Sequence, residues 1–331
     1  MAVSRGRWPL TALHGIRRRF MSSATQRRTD AEYMALLQRD LPSLYSKSLA
    51  QFLPMWQQIA EAVAVENATP LKILDLASGQ NAEPACTLAQ RFSAANVVAS
   101  EYTPELCSLA LERVQQLGLD SRIDVEEIDL RSIAAFGDQS NSSAAGDVDG
   151  EDAPLIDAAT CSLGLFMLPP QQQLRCLLGL HSLLAPRGLL VATVWDSMAL
   201  MDMGGRVIAK VLGRDPEDTP PMPFSPTSLG NGSADALLTA AGFEHAARHN
   251  ECHELGLRLG SAGSDEVWML GLLPFTGTLT ALHQQHGMQD VFERARIAFE
   301  VELEAGGCVD DVSGEVTVGL GYRILSARKS G

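Results

Sequence analysis

The 331-residue chain has little basic charge, no cysteines paired at metal-ligand spacing, and no apolar run long enough to cross a bilayer. Only 26 Lys and Arg stand against 40 Asp and Glu, and seven of the basic residues are arginines within residues 1–29. Beyond that segment 19 basic residues face 40 acidic ones, a net charge near −21. So acidic a body repels nucleic acid and anionic surfaces, which excludes a phosphate-backbone binder. The six cysteines (86, 107, 161, 176, 252, 308) are scattered and read as small buried hydrophobes. His245, His249, Cys252 and His253 are the one donor cluster. In a strand Cys252 would point away from His249 and His253, so no metal is expected. The longest uncharged stretch, 267–289, is broken by Gly271, Pro274 and Gly277 and reads as an apolar lid rather than a spanning helix. No internal repeat is present. With 46% apolar and 20% charged residues, the chain has material for a globular core and is neither fibrous nor wholly disordered.

The first 29 residues hold no lysine and no acid, and carry Ser22, Ser23 and Thr25 among the arginines. That is the composition of an organellar presequence. Trp8, Leu10, Leu13, Ile16 and Phe20 beside the arginines predict a basic amphipathic helix. Arg17, Arg18 and Arg19 interrupt the apolar core that a secretory signal needs. The expectation is a mitochondrial (matrix) protein whose leader is cut near residues 19–23.

From residue 30 the pattern becomes strand and helix in alternation. Residues 30–64 are helical in pattern, with Pro42 and Pro54 predicted to divide them. Strands are predicted at 71–76, 96–100, 123–128, 157–163 and 189–195, with helices at 83–92, 103–117 and 170–184 between them. Residues 137–154 are Ser, Gly, Asp and Glu with little to bury, and read as a disordered insertion. Their acids lack the spacing of a calcium loop. Short buried strands alternating with helices imply a parallel sheet covered on both faces.

The first strand leads into a turn with Gly79, and the second is followed by Glu101. Gly79 would let backbone approach a ligand, and Glu101 could accept from both ribose hydroxyls. A dinucleotide fingerprint wants glycine at 77, 79 and 82; this chain has Ala77, Gly79 and Ala82, so NAD or FAD is the weaker reading.

The motifs are Ile73-Leu-Asp-Leu-Ala-Ser-Gly79, Val98-Ala-Ser-Glu101, Ile128-Asp129, the run 158–169 and the run 183–195. In this order they resemble class I S-adenosylmethionine methyltransferases, in the small-molecule group similar to the ubiquinone and menaquinone enzymes. The resemblance is good over 71–200 and weak beyond, where Pro223-Phe-Ser and 237–243 look like the family's tail. It implies an α/β fold: a Rossmann-like, doubly wound, seven-stranded sheet, mostly parallel, with an antiparallel C-terminal pair from 243–255 and 316–326. The implied plan is a presequence at 1–29, an N-terminal helical lid at 30–70, and a methyltransferase domain at 71–331 with the disordered insertion and a lid insertion at about 263–305. Val291, Phe292, Ala295, Ala298 and Phe299 form one apolar stripe in that insertion.

The same resemblance implies S-adenosyl-L-methionine as cofactor. Asp75 would anchor its methionine end, directly or through water, with the backbone of Ala77, Gly79 and Gln80 beneath it. Glu101 and the adjoining Tyr102 would lie at the ribose, Asp129 at the adenine amino group and Leu130 against the ring. Ser162 and Leu163 would line the methyl-donor side, and Tyr45 would come near it. The family usually has glycine where this chain has Ala77 and Asn81, and Pro-Gly-Gly where it has Pro186-Arg187-Gly188. Asn81 is expected to tolerate the positive φ. Base candidates are Asp196, His283 and His286. The implied partner is a small or amphipathic methyl acceptor, with no nucleic acid and no membrane span; peripheral membrane contact and oligomeric state stay open. The alternatives are a non-catalytic mitochondrial assembly or binding factor on the same fold and, more weakly, an NAD-linked reductase. Asp75, Glu101 and Asp129 are expected at the carboxyl ends of three strands facing one cleft, with 1–29 and 138–153 free of packing contacts.

Overall fold

A computed structural model describes residues 28–133, 156–215, 217, 225–230, 232–246 and 250–331. The chain divides into two compact units, one of 52–198, 223–255 and 320–331, the other of 1–51, 199–222 and 256–319. The insertion expected at 137–154 falls within 134–155, outside the described residues, as do residues 1–27 and His249.

The first unit is built on a sheet. Its strands are β1 (Lys72–Leu76), β2 (Asn96–Glu101), β3 (Ile123–Glu127), β4 (Ile156–Ser162), β5 (Leu184–Met198) and β6 (Phe243–His245), with parts of β7 (Glu251–Ser261) and β8 (Glu315–Lys329). Their order is β3-β2-β1-β4-β5-β8-β6, with β7 also on β8. β1 through β5 pair in parallel, and β8 runs antiparallel to both β5 and β6. The expected doubly wound architecture is present, with one strand more than seven. The stretch 243–255 divides into β6 and the start of β7, on either side of a left-handed Asn250 (φ 63°).

Four of the five β1 residues are buried, as a central strand with both faces covered requires. One sheet face packs Leu76, Cys161, Leu190 and Val194 against Leu180 of α5 (Pro170–Leu183) and Leu238 of α7 (Ser233–Ala240). Each such buried aliphatic side chain contributes roughly 1.5–3 kcal/mol. Against the sheet also lies α2 (Leu53–Glu66), tied at its end by Arg328, which donates to Glu66 Oε2 at 2.7 Å. The short α3 (Ala85–Arg91) and α4 (Pro104–Gln116) complete the layers; Thr103 caps α4 by accepting from the Leu106 amide. β5 begins five residues earlier than the sequence suggests. Its pairing with β4 jumps from Leu184 to Leu189 across an irregularity, where Arg187 takes a left-handed φ of 64°.

The second unit is helical: α1 (Asp30–Leu49), α6 (Ala199–Leu212), α8 (Asp265–Gly271), α9 (Thr276–Gln284) and α10 (Val291–Ala305). α1 runs unbroken through Pro42, against expectation. Burial of Tyr33 before the proline and Leu44 after it offsets the roughly 3 kcal/mol that an interior proline costs. Val291, Phe292, Ala295 and Phe299 of the α10 stripe are buried as expected. A side chain at Gly204 of α6 would meet the Phe275 ring at 1.9 Å, so glycine there sets how closely the ring approaches the helix. Tyr33, Glu293, Arg296 and Glu300 form a buried polar knot. Arg296 donates to Glu293 at 2.9 Å, to Glu300 at 2.5 Å and to the Tyr33 hydroxyl at 3.1 Å.

The compact units are divided differently from the planned boundaries. The lid expected at 30–70 is split, α1 belonging to the helical unit and α2 to the sheet unit. The expected lid insertion widens from 263–305 to 256–319 and is joined by 199–222. Leu200, Met203, Val207, Ile208 and Val211 recur there at helical spacing, a signal the sequence does contain. The last two residues of the expected leader are also engaged. Arg28 pairs with Asp265 at 2.5 Å and lies over the Tyr33 ring, and Thr29 closes a capping box with Glu32. Among the described residues no helix is long and apolar enough to cross a membrane. The uncharged stretch 267–289 is spread over α8, a single turn at Leu273–Phe275, and α9.

Candidate cofactor site

The carboxyl ends of β1 to β4 are joined into a ring by contacts within the sheet unit. Glu101, the last residue of β2, accepts from the Gly79 amide at 2.8 Å. The Glu101 carbonyl accepts from the Ile128 amide at 2.8 Å, which brings in the end of β3. Leu130, in the turn that follows, lies against Gly164 after β4, and Gly164 lies so near Ala77 that an added Cβ would come within 2.8 Å of the Ala77 methyl. Asp75, Glu101 and Asp129 therefore share one end of the sheet, as expected.

Their side chains are not alike in what they do. Asp75 has no exposed surface. Its Oδ1 accepts from Thr160 Oγ1 of β4 at 2.6 Å, and its Oδ2 accepts from the Ala85 amide at the start of α3 at 3.0 Å. The carboxyl expected to anchor the cofactor, directly or through water, is enclosed and held by these two internal donors. Burial pushes the carboxyl up to about 7, against the pull of its donors. Ser78 and Ser100 brace the same strand end, both hydroxyls donating to the Asp75 carbonyl at 3.1 Å.

Glu101 is 7% exposed rather than solvent-facing. Its Oε2 accepts from the Tyr102 amide at 3.1 Å, while the Tyr102 ring is exposed. A carboxylate offers about four acceptor directions, so one remains on each oxygen. Two vicinal hydroxyls fit that remainder. Asp129 is paired through both oxygens to Arg131, at 2.5 Å from Oδ2 to Nη2 and 2.9 Å from Oδ1 to Nε. Arg131 holds the carboxyl below the usual range. An adenine amino group would share Asp129 with that guanidinium.

The turn after β1 keeps the shape glycines would give it. Ala77, Gly79 and Ala82 stand at φ 55°, 68° and 51°. The positive φ expected at Asn81 falls on Ala82 instead, a buried residue whose amide donates to the Gly79 carbonyl at 3.1 Å. Gln80 is half-buried in the same turn. At the end of β4, Leu163 takes φ 56°, rare for a branched residue. Its amide donates to Thr193 Oγ1 of β5 at 3.1 Å, and Thr193 also meets the Ser162 hydroxyl at 3.3 Å. Backbone held this far from its preferred regions costs about 1–3 kcal/mol and gathers at functional sites.

Sequence reasoning missed Thr160, Thr193, Arg131 and Gly164, which act through register and turn geometry. The base candidates have structural partners: Asp196 accepts from Arg323 at 2.7 Å, and His283 lies 3.1 Å from both Asp30 and the Met288 carbonyl. His286 is exposed, and Tyr45 lies on α1 in the helical unit. Among the described residues no group of His, Cys, Asp and Glu could hold a metal ion.

No protein-family model matches the chain, and no curated protein matches it. Several solved structures are similar to it at low identity. The [4+2]-cyclase SpnF is 16% identical, covers 83% of this chain and 80% of its own, and has a TM-score of 0.43. A protein of Galdieria sulphuraria described as a sarcosine dimethylglycine methyltransferase is 14% identical over 84% of this chain and 86% of its own, with a TM-score of 0.46. An O-methyltransferase family protein of Burkholderia thailandensis is 14% identical over 72% and 66%, with a TM-score of 0.43. At these identities and scores the likenesses carry no activity over to this chain. The strand order with antiparallel β8 is by itself that of a Rossmann-like, doubly wound α/β fold.

Proposed function

We propose that the chain is an S-adenosylmethionine-dependent methyltransferase acting on a small or amphipathic acceptor, and that its arginine-rich leader directs it to the mitochondrial matrix. The observation that carries the reading is Glu101: a nearly buried carboxylate at the end of β2, fixed by the Gly79 amide, with an acceptor direction left on each oxygen. Asp75 argues against a dinucleotide. It takes the Ala85 amide at the start of α3, where a pyrophosphate would need free amides, and its ionised form would repel phosphate. A cofactor with a sulfonium, an ammonium and no phosphate suits acids at these positions.

When bound, the cofactor supplies a methyl group on a positively charged sulfur. The chain's own residues bind and orient. Glu101 would hold the ribose hydroxyls, Leu130 would lie along the adenine, and the turn 77–80 would pass beneath. Ser162 and Leu163, fixed by Thr193, shape the side toward the acceptor. Transfer in line from such a group rests chiefly on positioning.

Ala77 and Asn81 in place of glycine are what favours an inert fold. The turn keeps a glycine-like backbone at Ala77 and takes its further positive φ at Ala82 rather than Asn81, which favours the cofactor-holding reading. Calorimetric titration with S-adenosylhomocysteine tests it: micromolar binding is expected, and no heat at any accessible concentration would refute it. Tritiated methyl transfer into a mitochondrial extract, with the product identified, then names the acceptor.

A further inference from the structure

We propose that Asp75 acts on the cofactor through the turn rather than by contact, and that uptake of the cationic cofactor is linked to ionisation of this buried carboxyl; the inference rests on the cofactor reading above. Asp75 is fully enclosed, yet it ties three elements that frame the site. It stands on β1, accepts from Thr160 of β4, and accepts from Ala85 where α3 begins. The turn 77–84 is strung between two of those ties. Thr160 lies two residues before Ser162 on the same strand, a step of about 7 Å. A positive charge beside Ser162 would sit within reach of the carboxylate's field, and the enclosed carboxylate is poorly screened by solvent.

The titratable groups facing Asp75 are Glu83 from the turn, Cys86 on α3 and Cys161 on β4; the charge of Arg113 on α4 acts on Glu83 and Cys86. Glu83 raises the Asp75 carboxyl further, and burial is the larger cause. With the group poised at about 7, both protonation states are populated near neutral pH. A bound cation favours the ionised state and so draws a proton off. Affinity for the cation rises with pH through the free protein's transition and levels once Asp75 is ionised in both states. On transfer, the sulfur–methyl bond breaks and its electron pair stays on sulfur, leaving a neutral thioether while the acceptor gains the methyl group. The ionised Asp75 thus favours the charged cofactor over the spent one.

Calorimetry at pH 6 and pH 8, in buffers of different ionisation enthalpy, tests this with S-adenosylmethionine and S-adenosylhomocysteine. We expect the wild-type affinity for the charged ligand to rise roughly tenfold over that range relative to Asp75→Asn, with a fraction of a proton released near pH 7. The comparison with Asp75→Asn removes the titration of the ligand's own amine, which is common to both proteins. The neutral product should change less than twofold on the same scale. Thr160→Val, which removes a donor to the carboxylate, should move the transition to higher pH, and serves if Asp75→Asn does not fold. Equal pH dependence for the two ligands, or a pH dependence unchanged by either substitution, would overturn the linkage while leaving the cofactor reading intact. Binding of neither ligand at either pH would overturn both.

Discussion

Glu101 Oε1 accepts the Gly79 amide at 2.8 Å, so the acid that ends β2 also fixes the turn that follows β1. Two elements far apart in the chain are set by one side chain. Glu101→Ala should therefore do two things. It should lower affinity for S-adenosylhomocysteine by about one to two orders of magnitude, and lower stability by about 1–3 kcal/mol as the Gly79 and Tyr102 amides lose their acceptor. Glu101→Gln keeps an accepting oxygen and should lose less of both. Calorimetry and urea unfolding read the two effects separately, and an unchanged affinity in the alanine variant would sink the ribose role.

Ala77 holds φ 55° where glycine has no side-chain penalty. Ala77→Gly should raise stability by up to about 1 kcal/mol, the strain relieved less the added freedom of the unfolded chain and the lost methyl contact at Gly164. Ala77→Val should be clearly destabilising. A urea midpoint that falls in the glycine variant would show that the methyl contact outweighs the strain.

Arg131 engages both oxygens of Asp129 at an exposed site. Arg131→Ala should leave stability unchanged and tighten cofactor binding severalfold, because the Asp129 carboxylate no longer has to be shared with a guanidinium. Asp129→Ala should weaken binding. If the arginine variant binds more weakly, the guanidinium itself contributes to the site, and titration of both variants with the same ligand decides.

Arg296 in the helical unit neutralises Glu293 and Glu300 in a buried place. Burial raises the Glu300 carboxyl while the neighbouring guanidinium opposes the rise. Arg296→Met should cost about 3–5 kcal/mol, since it strands two carboxylates, and Arg296→Lys should recover only part of it. Denaturant unfolding of the full chain measures this. A loss below about 1 kcal/mol would mean that water reaches the knot.

Much of the sheet unit is legible in the sequence because its signals are local. The short segments 71–76, 96–100 and 123–128 are too short for helices, and each has an acid in or just after its last turn of chain, which points Asp75, Glu101 and Asp129 to one end of a parallel sheet. The left-handed turn at Gly79 and the cap at Thr103 are equally local. Composition alone also sets an acidic body against an arginine-rich segment at 1–29.

Tertiary structure decided what those residues touch. Asp75 and Thr160 meet because β1 and β4 are neighbours in parallel register, although 85 positions separate them. No spacing rule encodes that pairing, and without it Asp75 reads as a ligand contact rather than an enclosed brace. Pro42 stays helical because packing on both sides of it outweighs a local preference to break. The helical unit collects α1, α6 and 256–319 from three stretches of chain. Each stretch shows its own periodicity, but apolar faces are interchangeable in sequence, and only the folded chain determines which of them close on one another.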